Sequence, residues 1–130
     1  MSDNIIFKAA DTFSFEATTP TAKKWAGTWY YNLIISIEKI SSDKGLNMSQ
    51  KRIVVSTSGI PKMIKKLADE DLRVNLALSL HSAIEETRNV IMPFSKKFSL
   101  EEIKESLIYW YAMTKRRVTF EYIVWKDIND

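Results

Sequence analysis

Two residue types decide much of the chemistry open to this 130-residue chain. It has a single histidine, His81, and no cysteine. Without thiols the chain has no disulfide, no cysteine nucleophile and no thiolate ligand for zinc or an iron–sulfur cluster. A metal site would need carboxylates alone, and none of them cluster suitably, so we predict no metal site.

His81 ends a predicted strand in Ser79-Leu80-His81-Ser82. Such a histidine acts as a base, contacts a ligand or is a hydrogen-bonded structural residue, and these alternatives stay open. A second candidate is the turn Thr57-Ser58-Gly59, which precedes a predicted helix. Its hydroxyls and backbone amides suit an anion or a carboxylate, but such turns are also common structural caps. Neither glycine-rich phosphate-loop pattern is present.

Charged residues add further candidates. Glu121 lies within an apolar strand, and burial of an unpaired carboxylate is costly. Arg88 is therefore a candidate partner, and a solvent-facing edge strand is the alternative. The net charge is +3. The basic clusters Lys96-Lys97 and Lys115-Arg116-Arg117 either contact phosphates or are solvated loop charges.

The elements that position these residues follow from periodicity. β-branched or alternating segments predict strands at Ile53–Ser56, Val74–Leu80 and Val118–Trp125. The intervening segments carry helix signals, including Pro61 and the capping box at Ser99-Leu100-Glu101-Glu102. Strand–helix–strand units of this length predict an α/β fold with a parallel sheet.

At one edge of such a sheet the strand ends meet, and ligands of parallel α/β folds bind there. The ends in question are Ser56, the segment Ser79–His81 and the segment Trp125–Asn129. We therefore predict that these segments share a rim.

The sequence divides into two parts. Residues 1–27 are predicted to be irregular with one short strand at Asn4–Ala9, and residues 28–130 form the α/β domain. An apolar stripe from Tyr30 to Ile40 predicts a helix, which we expect to stop near Gly45. The hydrophobic fraction of 45% is typical of a globular protein. No signal peptide and no membrane span are evident, so we expect a cytoplasmic protein.

Three ordered blocks resemble a known family. They are Lys51–Pro61, then Ala77–His81 with Glu85–Arg88 and Met92–Pro93, then Arg116–Tyr122 with Ile128–Asp130. Together they resemble the radical S-adenosylmethionine enzymes that methylate an adenine base in large-subunit ribosomal RNA and in transfer RNA. The resemblance covers roughly residues 30–130.

The resemblance implies that the chain is a slice of a partial (β/α) barrel. It also implies S-adenosylmethionine as the cofactor, contacted by Ser56, Ser79, Leu80, His81 and Asn129. Ribosomal or transfer RNA would be the family's substrate, although the family's N-terminal RNA-binding domain is absent from this chain.

This chain also departs from the family. A 4Fe-4S cluster bound by Cys-x-x-x-Cys-x-x-Cys and a methyl-carrying cysteine serve the family's reaction, and this chain has neither. The family's Gly-Glu-Pro motif is missing too. The resemblance therefore implies an interior fragment that holds no catalytic residue. The alternatives are a non-enzymatic RNA-binding or interaction remnant, or one part of a split enzyme that works with a complementing chain; a homodimer is also open.

We predict that the purified chain, given S-adenosylmethionine, a reductant and RNA, leaves adenine unmethylated. The cluster that generates the radical needs thiolate ligands, and no residue here replaces them. Mass spectrometry of the digested nucleosides checks this against RNA incubated without the chain. Methylated adenine above that background would contradict the prediction.

Overall fold

Four parallel strands form one sheet whose order follows the sequence. The computed structural model describes residues 5–8 and 20–130. The strands are β1 (Ile5–Lys8), β2 (Ile53–Thr57), β3 (Asn75–Ser79) and β4 (Val118–Glu121). The helices are α1 (Pro20–Ser41), α2 (Pro61–Asp69), α3 (Glu85–Ile91) and α4 (Leu100–Thr114), with short 3₁₀ helices at Gln50–Arg52 and Pro93–Lys97. The predicted α/β class with a parallel sheet is confirmed.

The hydrophobic core lies between the helices and one face of the sheet. Side chains alternate along a strand, so Ile53, Val55 and Leu76 share that face. The buried cluster consists of Leu33, Ile37, Ile53, Val55, Ile64, Leu67, Ala68, Val74, Leu76 and Trp110. The opposite face carries small and polar side chains, which leaves polar groups available at the ends of the strands.

The N-terminal prediction needs one correction. The strand predicted at Asn4–Ala9 is present as β1, but residues 20–27 are helical rather than irregular. Proline suits the first position of a helix, because its missing N–H and fixed φ cost nothing there, so α1 begins at Pro20. Tyr30, at the start of the predicted apolar stripe, is buried. Predictions on residues 1–4 and 9–19 lie outside the described residues.

The last strand is shorter than predicted. β4 ends at Glu121, whereas the alternating pattern predicted a strand through Trp125. Its neighbour β3 turns away at His81, which has a φ of 58°. The backbone N–H of Ile123 therefore donates to the His81 ring instead of to a strand. A strand needs a ladder partner, and the partner ends first.

The predicted helix signals are present. Pro61 begins α2. At the start of α4 the Glu102 N–H donates to Ser99 Oγ over 3.2 Å, and the Ser99 N–H donates to Glu102 Oε2 over 2.8 Å. This is the predicted capping box.

Two tyrosines tie neighbouring helices to the end of α2. The Tyr30 hydroxyl donates to Glu70 over 3.1 Å, and the Tyr109 hydroxyl donates to Asp69 over 2.5 Å. Burial and then the Glu70 carboxylate raise the pKa of Tyr30, while the hydrogen bond to Asp69 raises the pKa of Tyr109. Both hydroxyls stay protonated at neutral pH and remain donors.

Gly45 lies in the turn that follows α1, close to the end of that helix. The helix ends at Ser41, and the Gly45 N–H donates to the Ser42 carbonyl over 3.1 Å. A Cβ atom on Gly45 would lie 1.7 Å from the carbonyl oxygen of Lys39. The glycine is therefore required by the close approach of two backbone segments.

We predict that Gly45→Ala lowers the free energy of unfolding by about 1–3 kcal/mol, because the turn must open to admit the methyl group. Urea unfolding followed by circular dichroism measures the effect. Asp43→Ala, at an exposed position of the same turn, is the matched control and should stay within about 0.5 kcal/mol of the unmodified chain. Equal midpoints for the Gly45 variant and the control would contradict the close approach.

Candidate functional site

Three side chains from three strands meet at the carboxyl ends of the sheet. The Ser79 hydroxyl donates to Glu121 Oε2 over 2.7 Å, and the Ser56 hydroxyl lies 3.2 and 3.3 Å from the two Glu121 oxygens. Ser79 and Glu121 are register partners across β3 and β4, and Ser56 pairs with Ala77. We call Ser56, Ser79 and Glu121 the serine–glutamate cluster. It brings two of the predicted site residues into one network.

The remaining predicted site residues meet beside this cluster. The Asn129 amide nitrogen donates to the carbonyls of His81 and Ile123, and Asn129 Oδ1 accepts from the Trp125 N–H over 2.6 Å. The His81 ring stands edge-on to the Trp125 ring at 5.8 Å between centroids. The backbone N–H of Leu80 donates to the Glu121 carbonyl over 3.0 Å. The predicted rim therefore exists, and hydrogen bonds there join side chains as far as 65 residues apart in sequence.

The buried side chain of Arg88 holds the backbone of this rim in place. Its guanidinium donates to the carbonyls of Ser58, Ser79 and Leu80 over 2.6, 3.3 and 3.1 Å. Only 1% of the residue is exposed. Burial lowers the pKa of Arg88, and the nearby charge of Glu85 partly opposes that shift. The three carbonyl dipoles take the place of water around the buried cation.

Arg88, the candidate partner of Glu121, does not bind it, and β4 lies at the edge of the described sheet, as in the alternative. Glu121 accepts from two serine hydroxyls, and Arg88 donates to carbonyls. The residue types suggested a salt bridge, but β4 and α3 direct the two side chains to different partners. The sequence did not predict that Glu121 accepts from serine hydroxyls or that Arg88 binds backbone carbonyls. The position of Glu121 and Ser79 at the ends of neighbouring strands was the signal for the hydrogen bond between them.

The turn Thr57-Ser58-Gly59 is buried, and the Ser58 hydroxyl has no hydrogen-bond partner among the described residues. The Gly59 N–H donates to Thr57 Oγ1 over 3.1 Å, so this amide is not directed at a ligand. Gly59 has a φ of 99°, and a Cβ atom there would lie 2.9 Å from the Ile103 side chain. The turn is buried against α4, which favours the structural alternative for these residues.

The basic candidates are distributed over other surfaces. Lys97 lies over the Phe94 ring at 5.1 Å, and Lys115 over the Tyr111 ring at 6.0 Å. Trp110 is 1% exposed and belongs to the core. None of these residues reaches the serine–glutamate cluster through a contact in the described residues.

Residues 5–8 and 20–130 contain neither a metal-ligand cluster nor a membrane-spanning helix. In this part of the chain no three histidine, aspartate or glutamate side chains converge in a way that could hold a metal ion. No helix within it combines the length and the apolar character needed to cross a membrane.

Known proteins resemble the chain over most of its length, although no family profile matches it. A protein of Flavobacterium johnsoniae, described as a probable dual-specificity RNA methyltransferase RlmN, is 60% identical over 101 residues, which are 78% of this chain and 29% of that protein. Proteins of the same description from Christiangramia forsetii and Cytophaga hutchinsonii are 59% and 48% identical over 78% of this chain, and the matches cover 29% and 28% of those proteins.

A solved structure resembles the fold as well. The crystal structure of a radical SAM methyltransferase from Sphaerobacter thermophilus superposes with a TM-score of 0.67 at 35% identity, covering 70% of this chain and 27% of that one. The fold and this match show that the chain is similar to one segment of a radical SAM methyltransferase. Over these 101 residues it is similar to proteins described as probable dual-specificity RNA methyltransferases RlmN. It spans less than a third of the length of these relatives.

We predict that Arg88→Met lowers the free energy of unfolding by about 2–3 kcal/mol, because buried carbonyls lose their donors. Arg88→Lys should lose nearly as much, since one ammonium group does not reproduce the planar fork. Arg117→Met, at an exposed position, removes the same charge and is the control. Urea midpoints measure all three, and an unchanged midpoint for Arg88→Met would show that the carbonyls do not depend on the guanidinium.

Proposed function

We propose that the chain forms part of the S-adenosylmethionine-binding rim of a radical S-adenosylmethionine RNA methyltransferase. The observation that carries this proposal is the meeting of Ser56, Ser79–His81 and Asn129 at the carboxyl ends of parallel strands. Ligands of parallel α/β folds bind at this edge. The relatives at 59–60% identity support the same reaction class.

The polar groups at the rim fit S-adenosylmethionine. The ligand carries ribose hydroxyls, an ammonium, a carboxylate and an adenine ring, and it would supply the methyl group when bound. Ser56 and Ser79 present hydroxyl oxygens, and Glu121 presents a carboxylate that accepts from both. Backbone groups of Leu80 and His81 lie beside them. In this proposal these residues bind and orient the cofactor.

The residues of this chain do not fit an iron–sulfur cluster. Such clusters are held by cysteine thiolates, and the 130 residues contain no cysteine. In our proposal the cluster and the methyl-carrying cysteine come from elsewhere. The chain spans about 29% of the length of its relatives, so methylation of adenine in ribosomal or transfer RNA is proposed only for the assembled enzyme.

A complementing segment also fits the surface beside β4. This strand has one hydrogen-bonded neighbour within the described sheet, which leaves its outer edge without a ladder partner there. Large apolar side chains are exposed on β4 and in the residues that follow it: Phe120, Tyr122, Ile123, Val124 and Ile128. We propose that further strands and helices of the same barrel, in this or a second polypeptide, cover this surface. A homodimeric mass by light scattering would favour self-association instead.

We predict that S-adenosylmethionine binds the unmodified chain and that Ser79→Ala weakens the affinity by about tenfold, the effect of losing one hydrogen bond beside a charge. Isothermal titration calorimetry measures both. Ser36→Ala is the matched control, because the Ser36 hydroxyl donates to a carbonyl within α1 and lies far along the chain from the rim.

Two results would contradict the proposal. Absence of heat from the unmodified chain would exclude binding by these residues alone. Equal affinities for the unmodified chain and Ser79→Ala would exclude a role of Ser79, whatever else binds the cofactor.

A further inference from the structure

The side chain of Arg88 joins two strand ends beyond the point where the sheet pairs them. The register between β2 and β3 ends at Thr57. Past this residue, Nη2 of the guanidinium donates to the carbonyls of Ser58 and Ser79 over 2.6 and 3.3 Å. Its Nε donates to the Leu80 carbonyl over 3.1 Å. One planar guanidinium therefore continues the connection between the two strands past their last register pair.

These strand ends carry the hydroxyls that we propose bind the cofactor. Ser56 precedes Ser58 by two residues, and Ser79 is the last residue of β3. The hydroxyl oxygens of Ser56 and Ser79 lie 3.2 and 2.7 Å from the same carboxylate oxygen, Glu121 Oε2. Two hydroxyls that share one acceptor atom lie close together. A ligand that contacts both is therefore sensitive to the separation of the strand ends.

The segment that follows β3 is also shaped through a group that Arg88 contacts. The Leu80 carbonyl accepts twice, from Arg88 and from the Ser82 N–H over 2.7 Å. Between these residues, His81 has a φ of 58°, in the left-handed region that residues with a Cβ atom rarely adopt. The hydrogen bonds at the Leu80 carbonyl hold the chain in this conformation, so the guanidinium helps to orient the backbone of Leu80 and His81.

The influence of Arg88 on a ligand must pass through these carbonyls. Only 1% of the residue is exposed, so its own side chain offers no surface to a ligand. A buried guanidinium with three acceptors holds the strand ends before any ligand arrives. A site that is ordered in advance binds more tightly, because less conformational entropy is lost on binding.

We propose that Arg88 is a positioning residue for S-adenosylmethionine. It holds the ends of β2 and β3 at the separation at which Ser56 and the segment Ser79–His81 contact the cofactor together. The inference rests on the proposed function for the identity of the ligand. It goes further by assigning part of the affinity to a buried residue that the family resemblance did not include among the cofactor contacts.

Arg88→Lys tests this geometry at constant charge. Lysine keeps the positive charge, but one ammonium group does not reproduce the planar fork that reaches three carbonyls. Isothermal titration calorimetry with S-adenosylmethionine should give a dissociation constant about tenfold higher than that of the unmodified chain, the effect of about one hydrogen bond. Both chains are titrated at a temperature at which circular dichroism shows them fully folded.

Gly45→Ala is the matched control for stability. It should also destabilise the chain, but Gly45 lies in the turn between α1 and the amino end of β2, whereas the rim lies at the carboxyl ends of the strands. A purely structural role of Arg88 would lower the stability of both variants and leave both dissociation constants unchanged. A positioning role raises the dissociation constant in Arg88→Lys alone.

Amide hydrogen exchange followed by NMR measures the positioning without a ligand. The Leu80 N–H donates to the Glu121 carbonyl, and the Ser82 N–H donates to the Leu80 carbonyl. We expect both amides to be protected in the unmodified chain before the cofactor is added. In Arg88→Lys this protection should be lost, while amides in the middle of β2 and β3 keep theirs.

A second variant covers a failure to fold. Should Arg88→Lys lose its cooperative urea transition, Arg88→Gln takes its place, because glutamine keeps a planar amide donor at a shorter reach. The same rise in the dissociation constant and the same loss of amide protection are expected.

Three results overturn this inference alone: equal dissociation constants of the unmodified chain and the Arg88 variant, a rise of the same size in Gly45→Ala, or unchanged amide protection in the Arg88 variant. Absence of heat from the unmodified chain, in contrast, overturns the proposed function and the inference with it.

Discussion

The parallel register of the strands is the constraint on which the candidate site depends. Since all strands run in one direction, their carboxyl ends lie at one edge of the sheet. The register pairs Ser79 with Glu121 and places Ser56 beside Ala77, so both hydroxyls point to the face opposite the helices. A shift of one residue in β4 would turn Glu121 toward the helical layer, and the cluster would be lost.

Two opposite charges near this rim are satisfied separately. The buried guanidinium of Arg88 is surrounded by three carbonyls, and the carboxylate of Glu121 accepts from two hydroxyls. A direct ion pair would have neutralised both groups and consumed the carboxylate. The arrangement instead uses the cation to hold the backbone at the ends of β2 and β3, and the Glu121 carboxylate links the serines of those two strands.

The described sheet fits a chain that matches less than a third of the length of its relatives. Its helices cover one face, β4 has an outer edge without a partner in the described residues, and apolar side chains surround that edge. The matched relatives are more than three times as long as the shared region. Because thiolates are absent from these 130 residues, the chain's contribution to the family's reaction is confined to binding and orientation in our proposal.

Patterns in the sequence determined the α/β class, the parallel sheet, the capping box at Ser99 and the shared rim, because periodicity and helix caps are short-range properties and strand–helix–strand connections favour parallel neighbours. The tertiary structure alone decided the partners of Glu121 and Arg88 and the end of β4. Each of these depends on which groups from distant segments lie within hydrogen-bonding distance. The absence of cysteine was evident from composition, but the chemistry of the remaining polar groups came from a register that brings together residues 42 and 65 positions apart.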